Sequence, residues 1–133
     1  MQTRDVEFNS CGDTIRGTLY LPDGAKNPPL VVMAGGWYYV KEIVMPYYAD
    51  DFVEIGCACL IFDYRCFGDS DGLPRQHIDP WGQIEDYRNA VSFAKTLDEI
   101  DADRIGVWGI SYSGGHAICV AALDTRVKFA LSV

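Results

Sequence analysis

Apolar and polar positions follow two different patterns along this chain. They alternate in residues 6–10 and 15–21, which predicts two antiparallel strands joined across Gly12-Asp13, a pair typical of hairpin turns. A short apolar run without alternation is typical of a strand that is covered on both faces. Further strands are predicted in this way at residues 30–34, 57–63, 104–108 and 127–133.

Three helices are predicted between these strands. The first spans residues 46–55 and ends at Gly56, and the second begins at Asp79-Pro80, an N-cap residue followed by proline at the first helical position. One apolar face of this second helix is formed by Ile84, Tyr87, Val91, Ala94 and Leu97. The third helix, residues 113–123, is apolar nearly all round and is expected to be central and covered. A hairpin followed by strand–helix units predicts a mostly parallel α/β sheet with helices on both faces.

A serine stands where the strand at residues 104–108 meets the helix at residues 113–123. Gly109 and Ser111 fit the Gly-x-Ser-x-Gly pattern of a nucleophile elbow, in which a sharp turn raises the serine oxygen to the top of the sheet. Ser113 occupies the second glycine position and is small enough for helix and strand to pack closely. Because Ser113 comes two residues late for the turn, Ser111 is the candidate nucleophile and Ser113 a packing residue.

The partners of a catalytic serine are not evident in the sequence. A serine hydroxyl needs a base, and the base needs an acid to orient it. In this type of site the acid and then the histidine follow the serine along the chain. Only His116 and Asp124 do so here, and both fall in the helix after the elbow, from which they cannot reach back to Ser111. His77 is more typical of a surface residue than of a substitute base. We therefore expect a nucleophile without its triad.

The composition excludes several other functions. A net charge of −8 and the lack of any basic cluster disfavour nucleic acid and anionic membranes as partners. Asp69 and Asp71 stand between two glycines, but their spacing is not that of a calcium loop, so turn chemistry is the better interpretation. The sequence implies neither a metal nor a cofactor.

Several features indicate a cytoplasmic protein of one domain. The five cysteines are odd in number and include no Cys-x-x-Cys pair, which is typical of buried free thiols. The first five residues lack the apolar core of a signal peptide. No apolar run approaches the roughly 18–20 residues that cross a bilayer. An apolar fraction of 49% and a length of 133 residues fit a single globular unit.

Three segments in a fixed order carry a resemblance to a known family: residues 34–42, residues 62–72 and the elbow with its leading Asp103-Arg104-Ile105. In these the chain resembles the N-terminal half of an α/β-hydrolase, from the group related to Xaa-Pro dipeptidyl peptidases, dienelactone hydrolases and fungal polyketide-transferring hydrolases. The resemblance implies a three-layer α/β sheet that is mostly parallel after an N-terminal antiparallel hairpin. It also implies that residues 1–133 are the N-terminal portion of one domain, truncated after the sixth strand, with the acid and histidine on later strands.

The resemblance assigns roles to individual residues. Ser111 is the nucleophile that transfers the acyl group of a small-molecule ester, thioester or peptide to water. The backbone N–H of Tyr112 is one oxyanion donor, and that of Trp37 in the Gly35-Gly36-Trp37 loop is the second. Relatives often have a histidine in this loop, which is absent here. Tyr38 and Tyr39 either line an acyl pocket or cap the sheet. Asp63-Tyr64-Arg65 is expected to be structural.

A second class of function stays open. The chain could be a non-catalytic truncated paralogue, or one half of a split enzyme that acts through a partner chain. The strand from Val127 to Val133 is expected to form an edge with unpaired backbone groups, near which only Arg126 and Lys128 provide charge. We therefore expect self-association, or binding of a complementing chain, at this edge.

Overall fold

A six-stranded sheet forms the centre of the molecule in the computed structural model, which describes all 133 residues. The strands are β1 Gln2–Ser10, β2 Asp13–Leu21, β3 Leu30–Ala34, β4 Ala58–Phe62, β5 Ile105–Gly109 and β6 Val127–Ser132. Their order across the sheet is β1-β2-β4-β3-β5-β6. β2 runs antiparallel to both of its neighbours, and β4, β3, β5 and β6 are parallel. The predicted fold class is confirmed.

The N-terminal hairpin differs from its prediction in two details. Ser10 pairs with Asp13, so the turn is Cys11-Gly12 and the predicted turn at Gly12-Asp13 is wrong by one residue. Both turn residues have positive φ, 51° and 97°, as the tightest hairpin turns require. β1 also begins at Gln2, four residues before the predicted strand, because its exposed first residues are held by backbone pairing with β2 rather than by burial.

Three helices cover the sheet: α1 Met45–Glu54, α2 Pro80–Ala94 and α3 Tyr112–Leu123. Alternate residues of β3 point to opposite faces, and all five are buried. Val31 and Met33 pack with Met45 of α1 in one apolar cluster. The other three residues of β3, Leu30, Val32 and Ala34, belong to a larger cluster with residues of α2 and α3. The molecule therefore has three layers, with α1 on one face and the other two helices opposite.

The outer side of α3 is less covered than predicted. Ile118 and Leu123 are 58% and 54% exposed, so the prediction of a fully covered helix is wrong in this structure. α3 packs against the sheet and α2, and no element lies over its remaining side. β6, beside it, forms one edge of the sheet, with Phe129 and Leu131 partly exposed. No helix is long and apolar enough to cross a membrane.

Candidate active site

The order of the strands creates a crevice at the carboxyl ends of β3 and β5. From β3 the chain passes first to β4 on one side and later to β5 on the other. In open α/β sheets, ligands bind where neighbouring connections leave the sheet in opposite directions. The loops that leave here are residues 35–44, after β3, and residues 110–111, after β5.

Ser111 occupies a strained turn beside this crevice. Its backbone has φ 55° and ψ −117°, a combination that residues other than glycine rarely adopt and that concentrates at functional sites. The residue is exposed and immediately precedes α3, yet its hydroxyl does not cap the helix. A Cβ at Gly109 would lie 2.0 Å from the Ser113 carbonyl oxygen, so only glycine lets β5 and α3 approach so closely. These features have the geometry of a nucleophile elbow.

Two buried hydroxyl groups form hydrogen bonds with the backbone next to the elbow. The Ser113 hydroxyl accepts a hydrogen bond from the Ile110 N–H at 2.8 Å and lies 3.0 Å from the carbonyl oxygens of Ala34 and Ile110. The Tyr87 hydroxyl, on α2, accepts from the Ala34 N–H at 3.1 Å and donates to the Trp108 carbonyl at 2.7 Å. Both groups thus join the end of β3 to the end of β5. Ser113 is buried, in agreement with its interpretation as a packing residue.

The loop after β3 lies directly against the elbow. A Cβ at Gly36 would come within 3.0 Å of the Ile110 carbonyl oxygen and 3.5 Å of the Ser111 Cβ, so the backbones nearly touch. The rings of Trp37 and Tyr112 meet edge to face, with centroids 5.0 Å apart. Tyr112 is the first residue of α3, so its N–H has no partner within the helix. The two candidate oxyanion donors therefore belong to segments that are in contact beside Ser111.

The structure separates Tyr38 from Tyr39. Tyr38 is 49% exposed, and its ring lies 5.6 Å from that of Trp37 and 5.5 Å from that of Phe67. It thus extends an exposed aromatic row that begins at Tyr112. Tyr39 instead packs against the apolar cluster on the α1 side of the sheet. Of the two pocket candidates, only Tyr38 shares a surface with the residues that flank Ser111.

The far end of the same loop is held by a buried carboxylate. Asp63 follows β4, and its side chain is inaccessible to solvent. It accepts hydrogen bonds from the Lys41 N–H at 2.7 Å and the Asp69 N–H at 3.0 Å, and it pairs with the Lys41 ammonium at 3.3 Å. Burial raises the pKa of Asp63 despite these contacts. Burial opposes the charge on Lys41, but its hydrogen bonds to Asp69 and Glu42 prevail and raise its pKa.

A second buried ion pair fixes the segment that leads into α2. The Arg65 guanidinium and backbone N–H donate three hydrogen bonds to Asp86, at 2.7 to 3.0 Å, and Asp86 also accepts from Ser10 at 2.6 Å. Hydrogen bonds to Asp86 raise the pKa of Arg65. Asp63-Tyr64-Arg65 therefore has a structural role. Asp63 holds the end of the loop after β3, and Arg65 holds the segment that leads into α2.

The histidines and the downstream acid are engaged away from Ser111. His116 Nε2 lies 2.9 Å from Gln83 Oε1 between α3 and α2, and burial lowers the pKa of His116. Asp124, beyond the far end of α3, pairs with Arg126, whose hydrogen bonds lower the pKa of the carboxyl group. His77 is exposed on the loop before α2.

The acidic loop that superficially resembles a metal site is occupied by protein cations. Asp71 accepts a hydrogen bond from Arg16 at 2.7 Å, and Asp69 pairs with Lys41. No group of three or more His, Cys, Asp or Glu side chains is arranged to hold a metal ion.

Comparison with known proteins identifies the class to which this fold belongs. The α/β hydrolase GrgF from Penicillium sp. sh18 superposes with a TM-score of 0.93 at 34% identity, over 98% of this chain and 45% of that one. The thiohydrolase aneE of Aspergillus aculeatus is 48% identical over 130 residues, which are 97% of this chain and 40% of that protein. The quorum-quenching protein AidA of Acinetobacter baumannii is 41% identical over 128 residues, 96% of this chain and 42% of that protein. This chain belongs to the α/β-hydrolase superfamily.

The family within that class is also defined. Residues 12–132 match the X-Pro dipeptidyl-peptidase family, S15, and the chain belongs to it. The chain spans about two fifths of the length of the curated relatives that it matches.

Proposed function

We propose that Ser111 is the nucleophile of a serine hydrolase that cleaves small acyl esters and thioesters. The observation that carries this proposal is the strained, exposed backbone of Ser111 beside the unpartnered N–H of Tyr112 and the loop of Trp37. The Ser111 oxygen attacks the acyl carbon while its proton passes to a general base, and the two N–H groups bind the developing oxyanion. The alcohol or thiol then leaves with that proton. Water then hydrolyses the acyl-enzyme. Each donor of this kind contributes roughly 3–4 kcal/mol in an assembled site.

The base and the acid of this proposed enzyme come from residues outside these 133. His116 is buried against Gln83, and Asp124 is paired with Arg126, so neither is free to serve Ser111. The lengths of the relatives are compatible with this proposal. The 133-residue chain alone is therefore inactive, since an oxyanion site without a general base gives only a small residual rate.

The proposed substrate carries an apolar acyl group. Trp37 and Tyr38 are 56% and 49% exposed and form an aromatic row with Tyr112 next to Ser111. A row of this kind offers flat apolar surface at little entropic cost. The name of the 48% identical relative, a thiohydrolase, favours a thioester among the possible acyl compounds.

A fluorophosphonate probe tests the identity of the nucleophile. Residues 1–133 are joined to the part of the Aspergillus thiohydrolase that follows its matched region, and this complemented chain is treated with the probe. We expect labelling of Ser111 that is lost in Ser111→Ala and retained in Ser113→Ala. Labelling that persists in Ser111→Ala and disappears in Ser113→Ala would show that the register of the elbow is wrong.

A rate measurement tests the origin of the base. We expect the 133-residue chain to hydrolyse p-nitrophenyl acetate no faster than its Ser111→Ala variant. Robust turnover that depends on Ser111 would contradict the proposal and direct attention to His77, the exposed histidine.

A second candidate, a non-catalytic or split protein, is favoured by the apolar edge of the sheet. Phe129 and Leu131 of β6 and Ile118 and Leu123 of α3 are all more than one third exposed. In this alternative a complementing chain adds a strand beside β6 and covers α3. Co-expression with the same thiohydrolase segment as a separate chain distinguishes a non-catalytic protein from a split enzyme. A stable complex in which Ser111 resists the probe supports the non-catalytic protein, whereas a labelled complex supports the split enzyme.

We also propose a reducing compartment, the cytoplasm. All five cysteines are free thiols, and burial raises the pKa of Cys59, which keeps it in its unreactive form. Fractionation of the source cells, followed by thiol labelling, tests this: quantitative labelling of denatured protein is expected, and a protein recovered in disulfide form outside the cytoplasm would refute it.

A further inference from the structure

The Tyr87 hydroxyl is, with that of Ser113, one of two buried hydroxyl groups at the carboxyl ends of β3 and β5. Ala34 and Gly109 are the last residues that pair β3 with β5, and beyond them the chain continues into the two loops that flank Ser111. The Tyr87 hydroxyl occupies this point, where it accepts from the Ala34 N–H at 3.1 Å and donates to the Trp108 carbonyl at 2.7 Å. It therefore adds a side-chain bridge from α2 at the last pairs of the ladder between the two strands.

The position of this hydroxyl is fixed by its surroundings. Tyr87 is completely buried, and its ring makes edge-to-face contacts with Phe62 at 5.3 Å and Tyr64 at 6.0 Å between centroids. The next residue before it, Asp86, is held by the ion pair with Arg65. A ring confined in this way cannot follow a shift of either strand, so the hydroxyl acts as a fixed spacer.

The Tyr87 hydroxyl bonds to residues at the ends of the two strands from which the loops beside the candidate nucleophile begin. Trp37 follows Ala34 by three residues, and Ser111 follows Trp108 by three. We infer that Tyr87 is a positioning residue, whose hydroxyl sets the separation between the Trp37 N–H and the elbow that carries Ser111 and Tyr112. This inference rests on the proposed function, because that separation matters only if the two N–H groups share one oxyanion.

Tyr64 provides a matched control. It belongs to the same aromatic cluster and is also buried, and its hydroxyl lies near those of Tyr87 and Ser113 but makes no hydrogen bond to the backbone of β3 or β5. Tyr87→Phe and Tyr64→Phe thus remove the same group from the same cluster, and only the first removes hydrogen bonds to the backbones of β3 and β5.

Hydrogen exchange of the 133-residue chain tests the bridge itself. In Tyr87→Phe we expect faster exchange in peptides covering residues 34–39 and 109–113, with unchanged exchange in the hairpin of β1 and β2. In Tyr64→Phe both regions should exchange as in the parent chain. A uniform increase across the molecule, or none, would show that the hydroxyl does not control this junction and would overturn the inference.

Labelling kinetics of the complemented chain test the consequence for reactivity. We expect Tyr87→Phe to lower the maximal rate of Ser111 labelling at least about tenfold, because small misplacements of reacting groups are costly, without changing the probe concentration for half-maximal rate. Tyr64→Phe should stay within about twofold. A general loss of folding would reduce the amount of labelled protein but not the rate of the folded fraction.

The outcomes separate the two proposals. A parent chain whose Ser111 is not labelled refutes the proposed function and the inference with it. A parent that is labelled, together with a Tyr87→Phe variant that reacts at the parent rate, refutes the inference alone.

Discussion

Replacement of Asp86 by alanine should be among the most destabilising single changes in this protein. The Asp86 side chain is inaccessible to solvent, and it accepts four hydrogen bonds, three from Arg65 and one from Ser10. Its removal leaves the guanidinium of Arg65, whose side chain is only 19% exposed, without a counter-charge. Breaking one side of a buried ion pair costs about 3–5 kcal/mol, because the remaining charge is desolvated and unpaired.

A loss of this size is large compared with the whole free energy of unfolding of the protein. Domains of this size unfold with about 5–15 kcal/mol, so Asp86→Ala should remove a third or more of a typical value. Urea unfolding followed by circular dichroism measures it. With a slope of about 1–3 kcal/mol per molar urea, the midpoint should fall by at least about 1 M.

Two further variants test the physical reasoning. Arg4 pairs with Glu99 at 2.6 Å, but both side chains are over 40% exposed, so Arg4→Ala should cost no more than about 1 kcal/mol. Adding Arg65→Met to Asp86→Ala should recover part of the loss, since the stranded charge is then gone. A cost below about 1 kcal/mol for Asp86→Ala would refute the argument that burial determines the value of this pair.

Three other outcomes follow from the structure. Because the pKa of the buried His116 is lowered below its unfolded value, the folded state resists protonation, and stability should fall as the pH drops below 6.5. His116→Gln should flatten this part of the urea-midpoint profile, and a profile unchanged from the parent would exclude His116 as the cause. Gly109→Ala should abolish soluble expression or Ser111 labelling, because its Cβ would lie 2.0 Å from a backbone oxygen, and normal labelling would contradict this. The 133-residue chain should self-associate at micromolar concentration in sedimentation velocity, less so with Phe129→Lys; a stable monomer with strongly protected amides in residues 129–131 would count against the β6 edge as the contact.

The sequence predicted elements best where burial determined the pattern. β3 has the predicted bounds because it is covered on both faces, which leaves an uninterrupted apolar run. The first residues of β1 are exposed on both faces and are placed in the sheet by backbone pairing with β2, which leaves no alternating pattern in the side chains. α3 is apolar nearly all round, which predicted that other elements would bury it on every side, but Ile118 and Leu123 are exposed. The composition of a helix indicates that it should be buried, but it does not indicate which element buries it.

The candidate site divides in the same way. The elbow of Ser111 is a local feature of a few consecutive residues, so its motif could be recognised directly. Tyr87 appears in the sequence only as one position of an apolar helix face, although its hydroxyl bonds to Ala34, 53 positions away. The contact between Asp63 and Lys41 likewise joins residues 22 positions apart. Such contacts are set by the packing of distant elements, and no periodicity or motif encodes them.

The strand order also has a consequence for the time course of folding. The hairpin of β1 and β2 is local and can form within microseconds, but β2 next requires β4, and the central pair of β3 and β5 joins Leu30 to Ile105. Parallel pairing between such distant residues is slow, because loop closure must precede any gain from contact. During synthesis β3 therefore emerges well before β5, one of its two partners, and in this interval the chain is exposed to aggregation and to chaperones.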